Sequence, residues 1–236
     1  MAGTYLRGAL IAFTETFPLP IPNVVIFQYN PETMTHGWTM ATTAPAAAPG
    51  AAAQHVSQLA VSGPPVESFT FNLVMDSNDT IADANPVSAG LAEISGVYSR
   101  LAALEMLLFP LPPPGGGLIG SVSSALGITA AAESRSVPSG DLPLVLFVWG
   151  PGRIVPVRVT SFSVTEKLYD SLLLNPTHAE AQIGLRVLAS NELSDLTDIM
   201  KPIAQAASTY SQKLREALAL ANLVNAADSI VGMLPI

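Results

Sequence analysis

The sequence predicts a β-rich α+β domain over residues 1–191 and a helical C-terminal extension over residues 192–236. Three observations carry that expectation. Residues 67–76 alternate strictly, with Phe69, Phe71, Leu73 and Met75 on one face and Ser68, Thr70 and Asn72 on the other, the two-residue period of a half-buried strand. Residues 85–108 step by three and four through Val87, Leu91, Ile94, Tyr98, Leu101, Leu104 and Leu108, the period of an amphipathic helix opened by Pro86. Beyond residue 192, Ile199, Ile203, Ala206, Tyr210, Leu214, Ala217, Leu218, Ala221 and Val224 again recur at helical spacing.

The other elements are taken in chain order. Residues 4–14 set Tyr5, Arg7, Ala9, Ile11 and Phe13 against Leu6, Gly8, Leu10 and Ala12, a first strand. After Pro18, Pro20 and Pro22, residues 24–29 are β-branched and aromatic and include Phe27 and Tyr29; they stop at Asn30-Pro31-Glu32, where proline cannot donate to a ladder. Residues 41–65 and 110–140 are rich in Ala, Pro, Gly and Ser and carry too little bulky apolar surface to offset ordering entropy, so both are expected as long loops. Three more strands are expected at 144–149, 154–167 and 179–188. In the second of these both faces mix apolar with polar residues, a pattern expected where both sides of a sheet meet protein. The helix at 85–108 is expected to lay Leu91, Ile94, Tyr98 and Leu101 against Phe69 and Phe71.

Composition narrows the function classes. Hydrophobic residues make up 49% of the 236 and charged residues 12%, against about 25% charged in an average soluble domain, so much of the surface is expected to be covered by partners. The mean hydropathy of +0.42 raises the membrane alternative, but no apolar run reaches the roughly 20 residues a spanning helix needs: the run at 144–149 is bounded by Pro143 and Gly150, and the one from Leu101 is broken by Glu105 and ends at Pro110. Membrane insertion is not expected. The apolar stretch after Arg7 is short and Glu15 comes next without a small-residue cleavage site, so the expectation is cytoplasmic synthesis and assembly without export. The absence of cysteine excludes disulfides and thiol chemistry. Ten basic residues stand against 18 acidic ones, a net charge of −8 with no basic cluster, so nucleic acid is not an expected partner.

The chemistry-bearing residue types form no recognised constellation. His36, His55 and His178 lack the spacing of metal ligands and read as ordinary loop histidines. Asp76-Ser77-Asn78-Asp79-Thr80 lacks the glycine and terminal glutamate of a calcium loop and reads as a solvated connection from strand to helix. Gly115-Gly116-Gly117 is not followed by the lysine and hydroxyl of a phosphate loop, and no Gly-x-Ser-x-Gly elbow frames Ser121, Ser123 or Ser124. The expectation is a non-enzymatic protein without cofactor or metal.

The order of segments resembles the tube-protein family of contractile injection systems and phage-tail-like particles. The strand Tyr5-Leu6-Arg7-Gly8-Ala9-Leu10-Ile11 is followed by Phe27-Gln28-Tyr29-Asn30-Pro31-Glu32-Thr33, similar to the family's Phe-x-Phe-Asn-Pro-Glu-Ser segment, with Tyr29 and Thr33 departing from it. The strand from Glu67 to Asp76, the helix and its Pro-rich exit, the strand ending in Trp149-Gly150 and a final hairpin continue the order to about residue 191. The resemblance implies antiparallel sheets curled into a barrel-like sandwich with one packed helix, and six copies joined in a ring. It implies a baseplate adaptor whose partners are itself, a spike protein, the inner tube protein and other baseplate components. Some baseplate relatives carry a LysM module; residues 221–236 resemble the last part of one but lack its tyrosine strand and Gly-Asp-Thr, so the extension, with Tyr210 and Leu214, is expected to dock on a neighbour. The alternative is a free-standing β-rich module that binds a ligand or protein.

Overall fold

Alternation and its single interruption determine the sheet. The computed structural model describes residues 6–14, 21–40, 63–82, 86–110, 142–197 and 200–233. The strands are β1 Ala9–Thr14, β2 Ile21–Ile26, β3 Met34–Thr39, β4 Val66–Asp76, β5 Leu144–Val148, β6 Ile154–Tyr169 and β7 Pro176–Val187. The helices are α1 Ser77–Ala82, α2 Pro86–Ser95, α3 Tyr98–Glu105 and α4 Met200–Met233, with a 3-10 turn at Glu192–Ser194. All seven strands join one antiparallel sheet in the order β2-β1-β5-β6-β7-β4-β3. The expected long loops, His55, Ile199 and the Gly115-Gly116-Gly117 run lie wholly or largely outside the described residues.

β4 keeps the predicted register, burying Phe69, Phe71, Leu73 and Met75. β5 is buried on both faces: Val145 and Phe147 enter the main core, while Leu144 turns outward to a second cluster with Leu193, Met200 and Ala204. Its unbroken apolar run is therefore explained by α4 lying across the sheet's outer side. β6 corrects the two-sided reading of its mixed pattern. Val159 pairs with Leu185 and Ser161 with Gly184, so Thr160 is an extra, bulged residue that reverses the facing of the residues after it. Val155, Val157 and Val159 before the bulge and Phe162 and Val164 after it all join the same core. Gly184 permits this, because a Cβ there would collide with Ser161 Oγ.

The sheet is rolled but does not close into a barrel, which corrects the barrel-like expectation. No ladder joins β2 to β3 among the described residues. Laid flat, β2 and β4 would be about 24 Å apart, yet Phe27, just after β2, packs on Phe71 of β4 with ring centroids 5.6 Å apart. Phe147 on β5 meets Phe69 at 5.2 Å and Phe71 at 5.5 Å. The inner face thus folds onto itself around an aromatic cluster.

The expected single helix at 85–108 is two. Gly96 breaks it with φ +58°, and a Cβ there would collide with Pro176 O, so the left-handed turn and the close approach both require glycine. The break swings the two halves apart. Val97, Leu101, Leu104 and Leu107 cap the core, whereas Leu91, Ile94 and Tyr98 are exposed and do not pack on Phe69 or Phe71. Phe71→Ala is expected to cost about 3–5 kcal/mol in chemical denaturation. Leu91→Ala and Ile94→Ala should stay within about 0.5 kcal/mol. A loss at Leu91 as large as that at Phe71 would show that α2 belongs to the core.

Candidate functional site

The residues that carried the resemblance are placed by close packing and backbone hydrogen bonds. Phe27 is buried, and Gly8 lies so close that a Cβ would stand 2.7 Å from the rings of both Phe27 and Trp149. Gln28 pairs through its amide with the Asp76 backbone, donating to O at 2.8 Å and accepting from N at 3.0 Å, as a strand neighbour would. Tyr29 donates to Asp79, and that bond, followed by burial, pushes its hydroxyl up to about 12. Asn30 accepts from Gly8 N and donates to Leu6 O, both at 2.8 Å. Pro31 is half-buried and Glu32 exposed beside it. Trp149 packs on Phe27 and Phe147, and Gly150 supplies φ +66° to the β5–β6 turn. The segment from Phe27 to Asn30 therefore bridges the gap that no ladder closes.

Two features were not anticipated from the sequence. The first is an exposed apolar surface at the β6–β7 turn. Leu172 is 87% exposed and Leu174 72%, with Leu168 and Leu173 also exposed. Asp170 fixes this turn: its carboxylate accepts from the N–H groups of Leu172 (2.8 Å), Leu173 (2.6 Å) and Asn175 (2.9 Å). Those bonds, led by Leu173, hold its carboxyl below the usual range. Leu168 and Leu174 sit at φ +54° and +57°, a conformation branched apolar residues rarely adopt. The turn is tied to α2, with Asn175 Nδ2 donating to Ile94 O at 2.7 Å and Val97 N to Pro176 O at 2.9 Å. Leu91, Ile94 and Tyr98 are thus exposed beside a rigid leucine knob. The signal was legible as three consecutive leucines, 172–174, within a turn.

The second is a charged cluster under α4. His36, on a strand that sequence patterning did not reveal, stacks on Phe69 (4.2 Å), meets the tilted Trp38 ring (3.9 Å) and bonds Glu67 Oε1 at 2.7 Å. Arg215 Nη2 of α4 donates to both Glu67 oxygens at 2.8 and 2.9 Å. Arg153 lies 5.0 Å over the Phe69 ring. A cleft of about 300 Å³ opens beside this cluster, lined by Trp38, Pro64, Pro65, Ser208, Gln212 and Arg215. Nearby, Tyr210 donates to Pro151 O at 2.7 Å, and Ser211 Oγ bonds both N and O of Ile154. Leu214 is half-buried, while Leu218, Leu220 and Leu223 are exposed.

His36 and His178 are strand residues paired with carboxylates, which corrects their reading as loop histidines. Likewise the expected connection after Asp76 is the helix α1, its first turn bonded by Asp76 Oδ1 accepting from Asn78 N at 2.8 Å. No group of three or more His, Asp or Glu that could hold a metal occurs among the described residues, and none of their helices is long and apolar enough to cross a membrane. No family model matches the chain, and no curated protein is similar enough to match it.

Asp76 gives the site a pH signature. Burial pushes its carboxyl up, but the His178 bond and the N–H groups of Asn78 and Asp79 outweigh this and hold it below the usual value. A carboxyl depressed in the folded state contributes stability that is present above its unfolded value of about 3.9 and lost as pH falls through the folded value. Asp76→Asn should therefore lower the urea midpoint at neutral pH and flatten its decline below about pH 4. A variant that retains the full acid slope would assign that slope to other carboxylates.

Proposed function

We propose that this chain is a non-enzymatic structural subunit: a ring-forming adaptor in the baseplate of a contractile injection machine, assembled in the cytoplasm and joining spike to inner tube. The observation that carries this reading is the rolled sheet left with two unpaired edges. β2 and β3, six residues each, terminate the sheet, and each has a single ladder partner among the described residues. An open strand edge is a template for pairing with another chain. Two different edges on one molecule make a head-to-tail contact, which closes into a ring when the rotation per subunit divides the circle. β2 lacks a charged gatekeeper and exposes Val24 and Ile26. The leucine knob and the exposed Leu218, Leu220 and Leu223 of α4 offer further contacts above and below such a ring. The resemblance in segment order supplies the copy number, six, and the baseplate setting.

The cleft beside Arg215 favours a second reading, a free-standing β-rich binding module. The two readings separate on the oligomeric state. The purified full chain is expected to form rings of six copies, or to enter them with tube and spike proteins, in native mass spectrometry and electron microscopy. Ile26→Lys, which adds a charge to the β2 edge, should keep the circular dichroism spectrum and abolish the rings. A chain that stays monomeric alone and with those partners, and binds a small ligand in the cleft, sinks the adaptor reading. Removal of residues 217–236, which follow the Arg215–Glu67 contact, should leave the sheet folded and weaken recovery in particles.

A further inference from the structure

Glu67 ties α4 to the β3–β4 side of the sheet, and His36 competes for the same carboxylate. Three groups able to carry positive charge face it: His36 from β3, Arg215 from α4 and Arg153 from the β5–β6 turn. Glu67 is 7% exposed and is the only acidic group among them. With His36 neutral, its Nε2–H donates to Glu67, and the cluster holds one carboxylate against two guanidinium groups. Protonation adds a third positive charge to a half-buried site. The imidazole is stacked on Phe69 and held against the tilted Trp38 ring, and it cannot swing aside without losing both contacts. Arg153 is held over Phe69. The Arg215 side chain, 53% exposed on the outer part of α4, has water to move into.

We propose that His36, Glu67 and Arg215 form a pH-sensitive latch: protonation of His36 expels Arg215 from Glu67 and frees α4 beyond Ser211 from the sheet. The base of the helix stays docked, because Met200, Ala204 and Ala207 are buried and Ser211 bonds the Ile154 backbone, contacts that contain no imidazole or carboxylate. Burial, aided by Arg153 and Arg215 and opposed by the Glu67 bond, pulls His36 below the ordinary imidazole value. The neutral ring therefore belongs to the latched state. The latch is fully closed above about pH 6.5 and opens as pH falls through the lower, folded value. This device does not depend on what the chain assembles with.

The chain has no cysteine, so a spin-label pair at Thr70→Cys and Leu220→Cys reports the position of the outer helix directly. Pulsed electron resonance is expected to give a narrow distance distribution at about pH 7.5 that broadens and lengthens at about pH 5. Its midpoint should coincide with the His36 ring-proton titration followed by nuclear magnetic resonance in the same protein. His36→Gln, which keeps a donor for Glu67 but does not titrate, should stay narrow at both values, and Arg215→Gln should be broad at both. An unchanged distribution at low pH overturns the latch, as does equal broadening in His36→Gln. If His36→Gln does not fold, the midpoints decide alone: helix movement displaced from the His36 titration by more than about one pH unit, a tenfold change in proton activity, overturns it equally.

Discussion

A sheet of seven strands can bury its apolar face against a partner sheet, against helices, or against itself, and this chain does the last with α3 as a cap. The roll depends on the segment from Phe27 to Asn30. Phe27 carries its ring across the gap onto Phe71, and Gln28 places an amide where a neighbouring strand's backbone would be, against Asp76. Asn30 anchors the same segment back to Leu6 and Gly8. Side chains thus close what the ladder leaves open. A full barrel would consume both sheet edges in that closure; here the closure occupies the segment after β2 and the end of β4, and the strands β2 and β3 keep their outer edges.

The C-terminal helix is joined to this roll unevenly. Its 34 residues span about 51 Å. Met200 and Ala204 seal the outer face of β5, which explains why Leu144 is as apolar as its core-facing neighbours. After Ser211, Leu214 is half-buried, Arg215 pairs with Glu67, and Leu218, Leu220 and Leu223 face solvent. A long helix with an apolar and hydrogen-bonded base and an ionic contact further out has a fixed base and a conditional tip, since partly exposed ion pairs add modest free energy compared with buried apolar area.

Legibility in the sequence tracked the range of the interactions involved. β4 was readable because its alternation is local and uninterrupted, and β5 because its apolar run is bounded by Pro143 and Gly150. β3 was missed: Met34-Thr35-His36-Gly37-Trp38-Thr39 has no apolar alternation, and its Gly37 and His36 find their place only beside Ser68, Glu67 and Phe69 of β4. The bulge at Thr160 left a trace, the change of parity along β6, but its cause lies across the ladder at Gly184. Gly96 stood in view within a helical repeat, and the repeat's regularity outweighed it; the break is made by a contact with Pro176, eighty positions away. At the candidate site, the Asn-Pro-Glu and Trp-Gly motifs turned out to position the roll, while the His36–Glu67–Arg215 cluster joins three distant segments and has no sequence signature.

The exposed features have a common physical character. Leu168 and Leu174, at either end of the turn that Asp170 bonds, sit in the left-handed region, an arrangement that costs free energy while both side chains stay exposed. Two strand edges have no ladder partner among the described residues, and α2 presents Leu91 and Ile94 outward although the next turn of sequence buries Leu101 and Leu104. A monomer gains nothing from any of these. Each becomes favourable once a second surface covers it, because the strained turn is already ordered and loses no further entropy on contact, and an open edge supplies hydrogen bonds in a fixed direction. A low share of charged residues, 12% of the sequence, goes with the same features, since the exposed Leu172, Leu174, Leu91 and Ile94 are apolar.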